Sequence, residues 1–182
     1  MAQFKAFDKN VEVNGQTVLS VVNSLNFGKE SRLDILAQNG IENPESGKWY
    51  KQQLWLNAFQ EIHKVLGDNT LFMIGKAIPQ NADFPKEIDT LRKALLSVDT
   101  AYHMNHRGGE IGNYQLVAFD EQNRKAVMIC NNPYPSEFDR GILTSMVRKF
   151  RPKDSYKCDV VLDVTKASRL EGGESCTYLI TW

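Results

Sequence analysis

The stretch from residue 101 to residue 139 constrains the fold of this chain more than any other part of the sequence. A helical pattern ends at Gly108-Gly109, and two alternating segments, 114–119 and 126–130, then flank a polar loop. The two prolines of Asn-Asn-Pro-Tyr-Pro hold their predecessors in an extended conformation, and Ser136 followed by Asp139 is typical of a helix start. The stretch therefore predicts a helix, a β-hairpin and a second helix in direct succession, with the other elements packed around them.

Length and charge exclude several classes of protein. At 182 residues the chain is long enough for one domain with a substantial core, and we expect residues 1–182 to form it. Lys plus Arg equals Asp plus Glu at 22 each, so no overall field favours nucleic acid or an anionic membrane. The sequence shows neither an apolar run of membrane-spanning length nor a signal-peptide pattern, and its three cysteines lack a Cys-x-x-Cys pair. These features predict a cytoplasmic location with reduced thiols.

Hydrophobic periodicity predicts an α+β fold. The closing segment places Tyr178, Ile180 and Trp182 on one face, as expected of a half-buried strand. Gly75 lies inside a helical pattern and indicates a close contact between helices. The predicted helices cover about 15–25, 30–39, 49–66, 68–78, 85–107 and 137–150, and the predicted strands cover about 3–13, 114–119, 126–130, 156–165 and 176–182.

Residues that could carry chemistry form one weak pattern. Asp99, His103 and His106 recur at i, i+4 and i+7, which puts a carboxylate and two imidazoles on roughly one helix face, as in metal sites. A surface Asp–His pair with a helix-terminal histidine is the ordinary interpretation, and we give it more weight because no further ligand is recognisable. Phosphate-binding glycine motifs and a nucleophile elbow are also missing from the sequence. The sequence therefore does not predict an enzyme, and it leaves open one whose residues assemble from distant segments.

Three motifs carry a resemblance to a known family. They are AYHMNHRGGEIGNYQ at 101–115, NNPYPSEFDRGI at 131–142 followed by RKFRP, and SRLEGGESCTYLITW at 168–182. Together they resemble bacterial proteins of the four-vinyl-reductase domain type, a family related in fold to haem–nitric-oxide-binding domains and to TRAPP transport-particle subunits. The resemblance implies that the helices pack on one antiparallel sheet. It further implies a ligand-binding core at 41–182 behind an N-terminal helical extension at 1–40. It also implies an often dimeric protein that binds small hydrophobic ligands, as in bacterial sensors or tetrapyrrole pathways.

Departures from that family bear on cofactors. Relatives tend to carry cysteine where this chain has Ser136 and Ser168, and only Cys176 of the closing motif is kept. Structural zinc needs four good ligands, so zinc is not expected here. The Tyr-x-Ser-x-Arg pattern that binds the propionates in haem sensors has no match in the sequence. We therefore predict no bound cofactor, with a tetrapyrrole or zinc as less favoured alternatives.

The resulting functional hypothesis is a sensory or regulatory domain with an apolar pocket between the helices at 49–66 and 87–107 and the sheet. Its expected occupant is a small hydrophobic or aromatic molecule, and the chain is expected to form a homodimer. The alternatives are a protein-interaction scaffold resembling transport-particle subunits, and an enzyme or carrier in tetrapyrrole or aromatic metabolism. The predicted walls are Trp55, Phe59, Tyr102, Tyr114 and Tyr178, and the predicted polar anchors at the pocket mouth are His106 and Arg107.

Overall fold

Six α-helices, one short 3-10 helix (Arg169–Glu171) and seven strands make up an α+β fold in the computed structural model, which describes residues 3–25 and 28–182. The fold class predicted from the sequence is therefore confirmed. The helices are α1 (Gly15–Val22), α2 (Lys29–Gln38), α3 (Gln52–Leu66), α4 (Asp68–Asn81), α5 (Leu91–Met104) and α6 (Ser136–Phe150). The strands are β1 (Glu12–Asn14), β2 (Trp49–Lys51), β3 (His106–Arg107), β4 (Asn113–Asp120), β5 (Lys125–Asn131), β6 (Asp159–Leu162) and β7 (Cys176–Thr181).

The strands form two antiparallel sheets, where the sequence predicts one. The larger sheet has the order β4-β5-β7-β6 and contains the predicted hairpin and the closing strand. The smaller sheet has the order β2-β1-β3, so β1 is its central strand. Val13 of β1 pairs with Tyr50 on one side and with His106 on the other. The smaller sheet thus fixes the backbone of His106 against β1.

The helix ends explain where the predicted boundaries fail. The helix predicted from about residue 85 begins only at Leu91, because the Thr90 side chain accepts from the Lys93 N–H while a separate turn joins Ile88 to Pro85. At its other end the helix stops at Met104, so His106 belongs to an extended segment. In contrast, Asn14 caps α1 as the sequence predicts, with its side chain accepting from the Gln16 N–H at 2.7 Å.

Glycine allows α4 and α6 to cross with their backbones in contact. A methyl group on Gly75 would lie 2.1 Å from the Phe138 carbonyl oxygen, and one on Gly141 would lie 2.3 Å from the Phe72 carbonyl oxygen. Real side-chain carbons do not approach that closely, so the crossing requires glycine at both positions. The close helix contact predicted from Gly75 is confirmed.

The core draws on the whole length of the chain. Tyr178, Ile180 and Trp182 are buried together, which confirms the predicted inner face of the closing strand. Val164, predicted to face inward, is exposed because β6 already ends at Leu162. Residues 11–25 supply five of the buried core valines, so this part of the proposed N-terminal extension packs into the core. Among the described residues no helix is long and apolar enough to cross a membrane. The homodimer stays a prediction.

Candidate functional site

A cavity of about 540 Å³ opens between the helices and the Asn-Asn-Pro-Tyr-Pro segment at 131–135, which precedes α6 and is called the elbow below. Its size falls within the range of small-molecule sites, and its walls are mostly apolar. Residues of α1, α3, the end of α4, α5, β4 and α6 contribute, together with the loop between α4 and α5. Asp83 is the only lining residue with a formal charge in the described part of the chain.

Four of the seven predicted site residues line this cavity. Trp55 comes from α3, Tyr102 from α5, His106 from β3 and Tyr114 from β4. The Tyr102 ring packs against the rings of His106 and Tyr114, at centroid distances of 4.3 Å and 5.3 Å respectively. The sequence therefore located this side of the cavity, although no contact between these residues follows from their spacing alone.

The other three predicted residues lie outside the lining. Phe59 is fully buried behind it and packs edge-on against Trp55 at 4.6 Å between centroids. Tyr178 is part of the sheet core, where its hydroxyl donates to the Ser136 carbonyl at 2.7 Å. Arg107 points to solvent and donates from Nε and Nη2 to Glu12 Oε2, each at 2.9 Å.

His106 is the most unusual group in the cavity wall because it is a histidine only 7% exposed. Its Nδ1 lies 2.8 Å from the Tyr102 carbonyl oxygen, which can only accept, so Nδ1 carries the proton. Its Nε2 therefore accepts from the Tyr134 hydroxyl at 2.7 Å. Burial lowers the pKa of His106 to about 4, which keeps the imidazole neutral near pH 7.

Two further buried polar side chains, Gln52 and Trp55, lie one turn apart on α3, and we call them together with His106 and Tyr134 the imidazole cluster. Gln52 is fully buried at the start of α3, and both polar atoms of its carboxamide lack a hydrogen-bond partner among the described residues. The Trp55 indole nitrogen is likewise unpaired within that part of the chain. Sequence reasoning missed Tyr134 and Gln52. The Pro-Tyr-Pro elbow was a signal for Tyr134, but Gln52 gave none.

His103 does not join His106. It is exposed, with Nδ1 3.0 Å from the Asp99 carbonyl oxygen and 3.5 Å from Asp99 Oδ2. The other carboxylate oxygen of Asp99 accepts from the Tyr114 N–H at 2.8 Å. Within residues 3–25 and 28–182, no three His, Cys, Asp or Glu side chains come together as a metal site. The structure therefore confirms the predicted surface pair of Asp99 and His103, whereas His106 is not the predicted helix-terminal histidine, because it lies buried in β3.

A second buried polar group, the ionic cluster, consists of Arg169, Asp139, Asn132 and Tyr114. Arg169 donates at 2.6 Å to Asp139 and at 2.7 Å to Asn132 Oδ1. Tyr114 donates to the same carboxylate at 2.6 Å. Burial raises the pKa of Asp139, and its hydrogen bonds with Arg169 and Tyr114 oppose that shift. Tyr114 thus connects this cluster to the cavity wall.

Comparison with known proteins establishes a relation in fold. No family model matches the chain, and no curated protein matches it in sequence. An oxygen-binding H-NOX domain related to soluble guanylate cyclases superposes with a TM-score of 0.65 at 14% identity, over 92% of this chain and 94% of the other. The H-NOX domain of Shewanella oneidensis, solved in an Fe(II)CO state, has a TM-score of 0.61 and 13% sequence identity, over 100% of this chain and 98% of the other. A third structure, described by its haem redox potential and porphyrin distortion, has a TM-score of 0.61 and 11% identity, over 93% of this chain and 99% of the other.

These neighbours confirm the expected fold relation to haem–nitric-oxide-binding domains, and the four-vinyl-reductase resemblance stays a prediction. They also contradict the prediction that no cofactor is bound, because proteins that share this fold over nearly their whole length are described by their haem. The prediction gave the missing propionate motif more weight than the apolar pocket that the sequence also predicts, and a haem-type molecule can occupy such a pocket.

The residues present fit a haem-type macrocycle. The cavity is apolar, and a neutral histidine lies in its wall with Nδ1 bonded to a backbone carbonyl, the usual arrangement of metal-binding histidines. Cationic side chains are missing from the described lining, so carboxylate groups of such a ligand would have to reach the open mouth. Lys149 lies behind the lining, where it donates to the carbonyl oxygens of Pro79 and Ala82, which both line the cavity.

Proposed function

We propose that this chain is a sensory domain that binds haem, or a closely related metal tetrapyrrole, in the cavity with His106 as the nitrogen ligand. One observation carries the proposal. His106 is buried, neutral and held by the Tyr102 carbonyl, so the lone pair of Nε2 lies in the cavity wall. A neutral imidazole nitrogen is a common ligand of haem iron. The fold shared with H-NOX domains supports the same assignment.

The other residues of the site bind and orient a flat molecule. Trp55, Tyr102 and Phe138 provide aromatic surface, and Ile142 and Met146 provide aliphatic surface, so macrocycle burial is favourable. These side chains also exclude water from Nε2, which keeps it unprotonated. When bound, haem iron supplies a coordination position for small gaseous ligands. Sensing would follow from occupancy of that position.

The decisive experiment is reconstitution of the purified protein with haem. We expect near-equimolar uptake, measured by the haem absorption spectrum together with iron analysis. His106→Gly should lose the spectrum of the histidine complex, and added imidazole should restore it because the vacated space lies at the same nitrogen. His103→Ala is the matched control, since that imidazole is exposed and bonded to Asp99, and its uptake should equal wild type.

A second control tests the role predicted for Arg107. Because the structure places Arg107 on Glu12 and outside the lining, Arg107→Ala should take up haem as wild type does. Absence of stoichiometric uptake by wild type, or uptake unaffected by His106→Gly, would contradict the proposal.

A metal-free hydrophobic or aromatic molecule is the second candidate ligand. It is favoured by one observation, that Tyr134 already occupies Nε2 of His106. Such a ligand needs only the apolar walls, so its binding would survive His106→Gly. Native mass spectrometry of the protein as purified distinguishes the two candidates, because an iron tetrapyrrole and a metal-free organic molecule differ in mass and in dependence on His106.

A further inference from the structure

Tyr134 occupies the nitrogen on which the proposed function depends. Its hydroxyl oxygen lies 2.7 Å from Nε2 of His106, within the distance of an ordinary hydrogen bond. A metal bound at Nε2 would lie in the same direction, because the nitrogen has a single lone pair there. The inference below rests on the proposed function in one respect. If a metal binds Nε2 of His106, the Tyr134 hydroxyl must move away from that nitrogen.

The displaced hydroxyl needs a new partner. Tyr134 is buried, and a buried hydroxyl without a hydrogen bond is unfavourable. Gln52 and Trp55 offer one, since their side-chain polar atoms are unpaired among the described residues. Trp55 lines the same cavity as Tyr134, and both rings pack on Phe59. Gln52 lies three residues before Trp55 on α3, so the two side chains share one face of that helix. Neither is hydrogen-bonded to Tyr134 within the described residues.

We propose that Tyr134 is a displaceable internal ligand of His106, and that the Gln52 carboxamide and the Trp55 indole form the site that receives its hydroxyl. The Gln52 carbonyl oxygen would accept from the hydroxyl, and the Trp55 N–H would donate to its oxygen. Tyr134 is then a specificity-determining residue. Only a ligand that binds Nε2 more strongly than this hydrogen bond gains access to His106.

The elbow restricts this exchange to the side chain. The Tyr134 N–H donates to Asn132 Oδ1 at 2.9 Å, and the Pro133 carbonyl accepts from the Phe4 N–H at 2.8 Å. Prolines on both sides of Tyr134 further fix the backbone dihedral angles. The ring itself borders the cavity, so rotation about its side-chain bonds is the available motion.

The first test uses the protein without any cofactor. His106→Leu removes the acceptor, so the Tyr134 hydroxyl should move to the receiving site. The indole N–H resonance of Trp55 in a proton–nitrogen correlation spectrum should then shift downfield, as for a newly formed hydrogen bond. Adding Tyr134→Phe to His106→Leu should reverse the shift. Trp55→Phe identifies the resonance among those of the three tryptophans.

An unchanged indole resonance in His106→Leu would overturn the inference, and so would a shift that persists in the double variant. Because no cofactor is present, the result does not depend on whether haem binds. If wild type takes up no haem but the indole shift occurs and is reversed, the proposed function fails and the internal exchange remains.

The second test uses haem as the probe and compares two variants that are expected to change the affinity for haem in opposite directions. Tyr134→Phe removes the competitor and should bind haem about fivefold more tightly, as one neutral hydrogen bond predicts. Gln52→Leu removes the receiving acceptor and should bind about fivefold more weakly. A merely structural role would weaken binding in both variants or change neither. Either of those two results would overturn the inference.

Discussion

The ionic cluster and the imidazole cluster lie side by side beneath the elbow, and they differ in how completely their polar atoms are paired. In the ionic cluster, Asp139 accepts from Arg169, Tyr114 and Asn132, and only Nε of Arg169 is unpaired in the described part of the chain. In the imidazole cluster, the Gln52 carboxamide and the Trp55 indole nitrogen have no partner within those residues. The first cluster borders the cavity only through Tyr114, whereas three members of the second line it.

This difference separates structural from functional polar groups. A satisfied buried network fixes the positions of the chain segments that it joins, here the elbow, α6 and the turn at Arg169. Unpaired buried groups reduce stability, and a fold keeps them where a ligand or a moving side chain will use them. We therefore expect the ionic cluster to stabilise the fold and the imidazole cluster to take part in the proposed binding. Three predictions test that assignment.

The largest effect is expected from Arg169→Leu. It leaves the Asp139 carboxylate buried without its cation, which should lower the free energy of unfolding by roughly 3–5 kcal/mol. For a domain of this size that corresponds to a fall in melting temperature of about 10 °C. Calorimetry or thermal circular dichroism measures it.

The matched control is the double variant Arg169→Leu/Asp139→Leu, which removes both charges and should be more stable than Arg169→Leu alone. If Arg169→Leu melts within a degree or so of wild type, the ionic cluster does not stabilise the fold, which would contradict the role assigned to it.

The second prediction concerns pH and the imidazole cluster. The pKa of His106 is about 4 in the folded protein and about 6.5 when unfolded, so between these values only the unfolded chain binds the proton. The free energy of unfolding should therefore fall as the pH is lowered from about 6.5 to about 4, by about 3 kcal/mol in total. Urea unfolding at a series of pH values measures this loss.

His106→Gln should remove this part of the pH dependence. Asp139 titrates in the opposite sense, because its raised pKa favours the folded state at low pH, but it is common to both proteins. The difference between the two profiles therefore isolates His106. Parallel profiles would show that His106 is not held neutral by burial.

The smallest effect is expected from Gln52→Leu. This change removes two unpaired buried polar atoms and keeps a side chain of similar size, so the free energy of unfolding should stay within about 1 kcal/mol of wild type or rise. Denaturant unfolding near neutral pH, where His106 is neutral in both states, measures it.

Asn132→Leu is the matched amide substitution in the ionic cluster. It removes the acceptor of Arg169 and of the Tyr134 N–H, and should cost about 2 kcal/mol or more. If Gln52→Leu and Asn132→Leu lower the free energy of unfolding by the same amount, the two clusters do not differ in their contribution to stability.

Local patterns accounted for most of the elements. Hydrophobic alternation located the hairpin and the closing strand, and the Asn14 cap located the start of α1, because these signals act between residues close in sequence. The prediction of one long helix from about 85 to 107 was wrong at both ends. Pairing of β3 with β1 competes with helix continuation, and that partner lies more than ninety residues away in the chain.

Sequence patterns were sufficient to predict the fold class, the Gly75 contact and the buried face of the last strand. Of the residues predicted as walls and anchors of a pocket, Trp55, Tyr102, Tyr114 and His106 line one cavity. The neutral state of His106, its hydrogen bond with Tyr134 and the unpaired carboxamide of Gln52 among the described residues were not predictable in this way. They follow from burial and hydrogen bonding, which depend on groups that folding brings together. His106 and Tyr134 are 28 residues apart, and spacing along the chain carries no information about their contact.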